Sequence, residues 1–539
     1  MAERSMTEFI QKLYRVYLRV QLYSRLFFLN RRIKKTAISA SNKKPVIFFN
    51  ASARLVDLNL NAAFSMISSW GIQLTGRKIY HFACNSGMSH CVLGAGLGDP
   101  KDPPPCRKCI NDTRRFTGSA ERFWFGFHEE DDLRQRIQGK AVSDLESFTY
   151  QGRPLGALVL PSLRWILRRF HLKDDDVTRY LYSEFLLSAH NIAEEFTRMM
   201  TKVDPEVVVV FNGLQYPEAV VRWVTQQNDI RVITHEVNLQ PFSAFFTDGQ
   251  ATIYPLSIPE DFSLSNDQNL LLDEYLEKRF QGDFKMAGIK FWSGMHQLPK
   301  ELVDDINKYD AVVPVFTNVI FDTSQAHANT IFPDMFAWLD TVLNYAKKHP
   351  NVLFVFRAHP DEMRVGKSSQ ENVLSWAIDN NIEQYQNIRI IGPDETQSSY
   401  ELIKRSKFTL VYNSSIGLEA ILMGTPVLCA GKARYTQYPT VYYPPSKEKY
   451  LDLLQSFLQA DQVDVPERFI DNARRFLFYQ LFRASLRFDE FLGEGISPGY
   501  VHLKAFNWRK MLPGNSEIVD CIVNGILHNE EFILESDQA

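Results

Sequence analysis

The sequence has little of what marks secreted, fibrous or membrane-spanning proteins. It contains six cysteines in 539 residues, and no apolar run reaches the length of about 18 residues that a membrane-spanning helix needs. Hydrophobic residues make up 45% of the chain and charged residues 23%, a globular composition that excludes disordered and collagen-like proteins. No secretory signal precedes the cysteines, so we expect a cytoplasmic protein without a disulfide framework.

The net charge of −3 conceals a basic amino-terminal segment. Residues 1–44 contain eleven Lys or Arg and two acidic residues, so the rest of the chain is acidic and a nucleic-acid partner is not expected. Between residues 9 and 20 apolar side chains recur at helical spacing, while Lys12, Arg15 and Arg19 fall on another face. We expect an amphipathic helix, which either packs on the body or lies peripherally on an anionic membrane surface at the cytoplasmic side.

Short apolar segments that alternate with helical patterns predict a first Rossmann-like domain at about residues 45–255. Continuous runs of Val, Ile and Phe are typical of parallel strands that are buried on both faces of a sheet. A helical pattern follows the first run as far as Trp70, and Gly71 is the expected helix end. The predicted strands are Pro45–Asn50, Lys78–Cys84, Glu206–Phe211 and Arg231–His235.

The same alternation returns in residues 309–460 and predicts a second Rossmann-like domain. Residues 256–308 are expected to form a helical linker, and residues 461–539 a helical tail. The fold class is therefore α/β, with two Rossmann-like domains facing a cleft, where ligands bind beyond the carboxyl ends of the strands. The predicted strands of the second domain are Ala311–Phe316, Val352–Arg357, Ile388–Ile391, Phe408–Tyr412 and Pro426–Ala430.

One sequence motif of the second domain is Arg357-Ala358-His359-Pro360, at the carboxyl end of a predicted strand. Pro360 favours extended backbone at His359. The motif therefore presents a guanidinium and an imidazole at a strand end, where a phosphate or carboxylate can be bound. The alternative is a turn in which His359 serves only as a cap.

A second motif runs from Tyr412 to Ala420 and also follows a predicted strand. Ser414 or Ser415 can cap the next helix, whose exposed N–H groups form an anion site. Gly417 gives room for the close approach of a ligand. Glu419 can accept hydrogen bonds from two ribose hydroxyls, or it only balances the helix dipole. We expect this loop to bind a nucleotide.

Four segments of the second domain resemble one protein family. Together with weaker matches at Phe211-Asn212-Gly213 and Thr234-His235-Glu236, they are similar to capsule polysaccharide biosynthesis proteins, bacterial glycosyltransferases of the GT-B type. The resemblance is strong over residues 309–436. It implies that the His-Pro motif binds the donor phosphate, as in transferases that use CMP-activated acidic sugars, and that the Ser-Ser-x-Gly-x-Glu loop binds the nucleotide. The four segments are Thr317–Asp322, Arg357–Pro360, Ser398–Ile403 and Asn413–Tyr435.

The first domain should then supply the acceptor side and the catalytic base. Glu236 follows a predicted strand, so its carboxylate lies at the expected cleft and can take a proton from an acceptor hydroxyl. The alternative is a salt-bridged loop residue, and Asp248 and His235 are rival bases. In the second domain, Asn318 and Asp322 follow the first strand and are expected to contact the donor. The strand-end motifs contain no Asp-x-Asp pair, so we expect metal-independent catalysis that requires no cofactor.

Four cysteines lie close together in an insert at residues 84–109. Cys84, Cys91, Cys106 and Cys109 form the pattern C-x6-C-x14-C-x2-C. Four clustered thiols in a cytoplasmic chain can hold one structural zinc ion tetrahedrally. The x6 spacing is unusual for a zinc site, so unligated thiols and disulfides remain alternatives.

These observations predict a glycosyltransferase. It would move a sugar from a nucleotide-activated donor to a surface polysaccharide or a lipid-linked glycan. Three alternatives stay open. A polyol-phosphate transferase of the teichoic-acid type would use the same basic pocket, a sugar-nucleotide epimerase would need no acceptor, and a non-catalytic scaffold of a polysaccharide export complex would bind no nucleotide.

Overall fold

The computed structural model describes residues 2–37, 43–51, 58–92, 102–282, 297–364, 368–495 and 499–536, with side chains from residue 13 onward. Parts of the cysteine-rich insert and of the predicted linker therefore lie outside the described residues. The described chain is built around two main sheets.

The first domain contains a seven-stranded sheet. Its strands are β1 (Val46–Phe49), β2 (Ile79–Cys84), β3 (Glu121–Phe125), β4 (Val207–Phe211), β5 (Arg231–Val237), β6 (Ser243–Asp248) and β12 (Leu486–Arg487). Their order is β12-β6-β5-β4-β1-β2-β3. β1 to β5 are parallel, which confirms the four predicted strands β1, β2, β4 and β5; β3 was not predicted. β6 and β12 extend one edge in antiparallel pairing.

Helices cover both faces of this sheet and provide much of its core. The long helix α7 begins after Asp175, whose carboxylate accepts a hydrogen bond from the Thr178 N–H at 2.8 Å and so caps it. The helices are α1 (Ala2–Thr36), α2 (Leu60–Leu74), α3 (Cys106–Phe116), α4 (Asp131–Ile137), α5 (Val142–Glu146), α6 (Leu155–Leu167), α7 (Asp176–Val203) and α8 (Glu218–Gln227).

The second domain follows the two linker helices α9 (Asn266–Phe280) and α10 (Lys300–Ile306). Its sheet consists of β7 (Ala311–Phe316), β8 (Val352–Arg357), β9 (Ile388–Ile391), β10 (Thr409–Val411) and β11 (Val427–Cys429). All its pairs are parallel, in the order β11-β10-β7-β8-β9. The covering helices are α11 (Met335–Lys348), α12 (Val373–Asp379), α13 (Ser399–Lys404), α14 (Ile416–Leu422) and α15 (Lys447–Gln459). Two Rossmann-like sheets confirm the predicted fold class.

The carboxyl-terminal tail is helical as predicted, but it also contains strands and returns to the first domain. It comprises α16 (Glu467–Phe478), β12, β13 (Leu492–Glu494), β14 (Val501–Leu503) and α17 (Glu517–His528). β12 pairs with β6 in the first sheet, and α17 packs against α2. The tail therefore contributes to the first domain's core, because residues such as Val519 and Ile522 are buried there beside Trp70.

Gly71 does not end a helix, which corrects the prediction from sequence. α2 continues past it to Leu74. A Cβ atom at Gly71 would stand 2.6 Å from the Val519 side chain of α17. Gly71 therefore allows α2 and α17 to pack closely. The sequence alone cannot reveal this contact, because the partner lies more than 400 residues further along the chain.

The amino-terminal segment forms the predicted helix, α1, and its second half packs on the body. Leu22, Leu26 and Ile33 are buried in the first domain's core. In contrast, large apolar side chains on the same helix are more than half exposed: Leu13, Tyr14, Val16, Tyr17, Val20, Phe27 and Phe28. Among the described residues, no helix combines the length and hydrophobicity that crossing a bilayer requires.

Candidate functional site

A cavity of about 300 Å³ lies at the carboxyl ends of β7, β8 and β10. The loops that follow these strands form most of its wall, and Trp165 of α6 and Arg279 of α9 complete it. This is where a doubly wound sheet binds its ligands. The cavity brings together seven of the eight residues predicted to bind the donor: Asn318, Asp322, Arg357, His359, Ser414, Ser415 and Glu419. Their role in binding stays a prediction.

His359 has the extended backbone that the following proline predicts, with φ −72° and ψ 132°. Its Nδ1 accepts a hydrogen bond from the Asp361 N–H at 3.1 Å, so His359 is also a cap. Burial lowers the pKa of His359 and favours the neutral ring. Because Nδ1 acts as an acceptor, the proton of the neutral ring lies on Nε2, which can then donate to an anionic ligand.

Arg357 lines the cavity, but its guanidinium already donates hydrogen bonds to backbone carbonyl oxygens of the protein. Its side chain is buried, and Nη1 and Nη2 donate to the carbonyl oxygens of Gly392 and Glu395 in the loop after β9. Burial lowers the pKa of Arg357 to about 10, so the guanidinium stays charged at neutral pH. Arg357 therefore holds the neighbouring loop in position, a role that the sequence did not predict.

Both carboxylate oxygens of Glu419 already have protein partners. Nη2 of Arg279 lies 2.7 Å from Oε1, and the Tyr400 hydroxyl donates to Oε2 at 2.5 Å. The ion pair is buried, with side-chain exposures of 9% for Arg279 and 6% for Glu419. A ribose contact would have to share these oxygens. The observed role of Glu419 is to place the Arg279 guanidinium at the cavity wall.

The loop before α14 differs from the prediction in two details. Ser415 precedes the helix, but its side chain does not cap it. Gly417 is absent from the cavity wall, and a Cβ atom at this position would collide with the Tyr435 hydroxyl. The glycine therefore accommodates Tyr435 rather than a ligand, which corrects the predicted reason for it.

A second cavity of about 210 Å³ adjoins the first and shares Asp322, His359 and other lining residues with it. Its additional basic side chains are His327, Lys432 and Arg434. The Arg434 guanidinium stacks on the ring of Tyr254, a first-domain residue, at 3.4 Å from the ring centroid. Such a basic lining suits a ligand that carries phosphate groups.

Glu236 lies near the carboxyl end of β5 and lines neither of the two cavities, but the charges of Arg434 and Asp322 act on its pKa. The Asn212 side chain donates a hydrogen bond to its Oε2, and the Val237 N–H donates to Oε1 at 2.8 Å. Burial raises the pKa of Glu236, and the two hydrogen bonds and the Arg434 guanidinium partly counter this. Asp322 also raises this pKa, which places Glu236 within electrostatic reach of the cavity wall. A carboxylate with a raised pKa suits a general base.

The structure places the two rival bases away from the cleft. His235 is fully buried in β5, where its ring packs against Phe64, Phe211 and Phe246. Neighbouring strand residues point to opposite faces, so His235 cannot point where Glu236 points. Asp248 ends β6, which runs antiparallel to β5, and it pairs with Arg231 at the amino end of that strand. Neither residue is positioned to meet an acceptor.

All four clustered cysteines border one apolar cavity of about 30 Å³ near the carboxyl ends of β1 and β2. None forms a disulfide. Burial and the charges of the other three thiols raise the pKa of Cys84. Within the described part of the chain, no three His, Cys, Asp or Glu side chains are arranged to hold a metal ion, so the structural zinc stays a prediction.

Sequence reasoning missed three residues of the site. Arg279 comes from the linker helix α9, Trp165 from α6, and Arg434 from the segment after β11. Arg279 and Trp165 lie within helices, and Arg434 lies five residues beyond the end of β11, so only folding brings them to the cleft. The pattern Ala433-Arg434-Tyr435 lies at the end of the segment that resembles the family, which was the only available signal.

The family described as capsule polysaccharide biosynthesis protein matches residues 295–438, which confirms the resemblance noted from sequence. A comparison with curated proteins finds no match. Among solved structures, the chain is similar to the β-Kdo 2,4-transferase KpsC of Thermosulfurimonas dismutans, with 11% identity, a TM-score of 0.34, and coverage of 50% of this chain and 79% of that chain.

Two further solved structures are similar to the chain. One is the UDP-GlcNAc 2-epimerase of Neisseria meningitidis, with 12% identity over 81% of this chain and 99% of that chain and a TM-score of 0.25. The other is the sucrose-phosphate synthase of Thermosynechococcus elongatus, with 10% identity over 81% of this chain and 94% of that chain and a TM-score of 0.27. Similarity at this level carries no argument about function.

Proposed function

We propose that the protein is a glycosyltransferase that moves a sugar from a nucleotide-activated donor to a surface polysaccharide or a lipid-linked glycan. One observation carries the proposal: the strand-end motifs of the family-matched segment converge on a cavity whose wall also includes Trp165 of the first domain. The basic side chains of the adjoining cavity suit the donor's phosphates. The match to the capsule polysaccharide family supports a glycan acceptor.

The proposed chemistry uses residues from both domains. Nε2–H of His359 and the guanidinium of Arg434 would bind the donor phosphate, and their donors would stabilise the charge that develops on the leaving group. Glu236 would take the proton from the acceptor hydroxyl as its oxygen bonds to the anomeric carbon. The bond from that carbon to the phosphate oxygen then breaks, and the nucleotide leaves. We also propose that these side chains carry out each step without a metal ion.

Product analysis tests this function. The protein would be incubated with CMP-, UDP- and GDP-activated sugars and with capsular oligosaccharide acceptors, and the products would be resolved by mass spectrometry. We expect an acceptor one sugar larger and a free nucleotide, both absent with Glu236→Gln. A phosphodiester in the product would instead indicate polyol-phosphate transfer. An isomerised donor formed without acceptor would indicate an epimerase.

We also propose that α1 holds the enzyme on an anionic membrane surface. At 100° per residue, the exposed apolar side chains of α1 fall within an arc of about 160°, opposite the face that Leu22, Leu26 and Ile33 bury in the body. Exposed Arg31, Arg32, Lys34 and Lys35 follow on the same helix. Apolar area combined with positive charge suits a helix that lies in the interface of an anionic bilayer.

Sedimentation with vesicles tests this location. Val16→Glu and Val20→Glu place charge on the exposed face without disturbing the buried one. We expect the parent to sediment with phosphatidylglycerol vesicles at low salt, and the double variant to stay in solution. Ile378→Glu, at an exposed position of the second domain, is the control and should sediment like the parent. Equal sedimentation of all three proteins would contradict the proposal.

A further inference from the structure

The cavity bordered by the four clustered cysteines lies outside the proposed transfer site. Cys84 ends β2, Cys91 lies in the following loop, and Cys106 and Cys109 occupy the first turn of α3. The remaining wall is apolar and includes Met88 and Ile110. Thiols from three separate places in the chain thus line one cavity.

The segment that carries Cys84 and Cys91 is held firmly against α7. Asn191 Nδ2 donates to the Gly87 carbonyl at 3.0 Å, and Ser188 Oγ accepts from the Ser89 N–H at 3.0 Å. A hydrogen-bonded loop of this kind fixes the directions of its side chains. The two thiols are therefore set in place by contacts that do not involve the other pair.

Two features of the backbone face the thiols: one N–H group in the β2 loop and the amino-terminal end of α3. The Gly87 N–H donates to Cys84 Sγ at 3.2 Å, a contact typical of thiolates that bind metals. Cys106 and Cys109 lie at the amino-terminal end of an eleven-residue helix, whose dipole stabilises negative charge. Among the described residues that line the cavity none is basic, so four thiolates there would have no positive charge beside them to balance their own. A bound cation would supply that balance.

We propose that Cys84, Cys91, Cys106 and Cys109 together bind a thiophilic metal centre through four thiolates. The centre would lie in the cavity, and its ligands would join the β2 loop to the start of α3. Since no three of these groups already meet at the spacing of a single-ion site in the described structure, either the thiols close around one Zn²⁺ or they surround a larger iron–sulfur cluster.

The centre would have a structural role. α3 packs against α1: Tyr23 Oη donates to Asp112 Oδ1 at 3.0 Å, and Asn30 Nδ2 donates to the Arg115 carbonyl at 2.8 Å. A metal at the first turn of α3 would hold this helix in place. Through these two contacts it would also hold the second half of α1. Removal of the metal should therefore speed amide hydrogen exchange in residues 106–116.

Elemental analysis of the full-length protein, purified without chelators and under anaerobic conditions, tests the proposal. We expect one metal centre per chain, which is lost in Cys84→Ser and in Cys109→Ser. Cys521→Ser, a cysteine outside the cavity, should keep it. Zinc without sulfide would identify a single ion, and iron with an equal amount of acid-labile sulfide would identify a cluster. Protein that contains neither metal, or variants that retain it, would overturn the proposal.

A second measurement uses the parent protein alone, in case the variants fold poorly. Thiolates bound to a metal react slowly with disulfide reagents. The reactive thiols of the native protein should increase by four after treatment with a strong chelator. The same increase should accompany faster exchange in α3. An unchanged thiol count would contradict metal binding, whatever the stability of the variants.

Discussion

Arg279 and Glu419 form a buried ion pair, with 2.7 Å between Nη2 and Oε1, that joins the linker helix α9 to helix α14 of the second domain. Arg279→Met removes one partner and leaves the other charge buried. Such a change costs about 3–5 kcal/mol in the free energy of unfolding. We expect a loss of this size in urea denaturation, together with weaker nucleotide binding.

The double variant Arg279→Met/Glu419→Leu separates stability from binding. Replacing both charges by apolar groups should restore much of the stability. Nucleotide affinity should stay low if Arg279 contacts the ligand. Lys44→Ala, which breaks the exposed pair with Asp204, is the control and should cost no more than about 1 kcal/mol. An Arg279→Met protein as stable as the parent would contradict this account.

His359 is expected to contact the donor phosphate through Nε2–H. His359→Asn keeps a side-chain acceptor for the Asp361 N–H but lacks this donor. Loss of a hydrogen bond to a charged group is worth about 1.5–3 kcal/mol, so calorimetry should show nucleotide affinity about 10–150-fold lower, with little change in the unfolding temperature. His349→Asn, at the end of α11, is the control. Unchanged affinity in His359→Asn would place the phosphate elsewhere.

Glu236 is expected to act as the general base. Glu236→Gln should preserve nucleotide affinity and lower turnover by about 10²–10⁴-fold. Asp248→Asn is the control, because it removes a carboxylate that pairs with Arg231 at the other end of β5. This variant should leave turnover unchanged. The reverse result, with Asp248→Asn inactive and Glu236→Gln active, would assign the role to Asp248.

The pH dependence of turnover tests the surroundings of Glu236. Burial raises its pKa, and the hydrogen bond from Asn212 opposes that rise. Asn212→Gly keeps the left-handed backbone at φ 59° but removes this donor, so the pKa of Glu236 should rise further. Because the base must be ionised, the acid limb of kcat/KM should move to higher pH. An acid limb at the parent's position would mean that another group titrates.

The five strands of the second sheet were predictable from the sequence, whereas three strands at or near the edges of the first sheet were not. β7 and β8 coincide with predicted strands because parallel strands buried on both faces are continuous apolar runs. β12 was missed because two residues give no pattern. β6 was also missed, and its antiparallel direction carries Asp248 toward the amino end of β5, away from Glu236.

The candidate site was predictable only where it follows strands. His359 and Ser414 were found because parallel strands end at the ligand-binding edge. The partners of Arg357 and Glu419 were not predictable, because Gly392 and Arg279 come close to them only in the folded chain. A sequence pattern shows which residue stands at a strand end, but it does not show whether its charge is already paired.

His171 links the two domains. The loop that carries it leaves α6, and its ring lies between Asp334 and Glu371 of the second domain, at 3.3 Å and 2.5 Å. Hydrogen bonds to these two carboxylates raise the pKa of His171 to about 10, above the value of about 6.5 for an unfolded chain. The contribution of His171 to stability is therefore complete below pH 6.5 and declines as the pH rises toward 10.

Thermal denaturation between pH 6 and pH 10 tests this link. We expect His171→Gln to unfold at a lower temperature than the parent at pH 6, and the difference to shrink as the pH approaches 10. Tyr385→Phe, a second-domain change away from this contact, should give no pH-dependent difference. A His171→Gln effect that is constant across the range would show that the charge of His171 does not contribute.

The most direct test of the central claim is the thermal stability of the full-length protein with CMP, UDP, GDP and CDP in turn. A nucleotide that binds the cavity of the second domain should stabilise the folded state by about 2.7 kcal/mol at 100 times its dissociation constant. The account predicts a clear, concentration-dependent rise of the unfolding temperature with at least one of the four nucleotides. An unfolding temperature unchanged by all four would contradict a nucleotide-sugar transferase and favour a non-catalytic role.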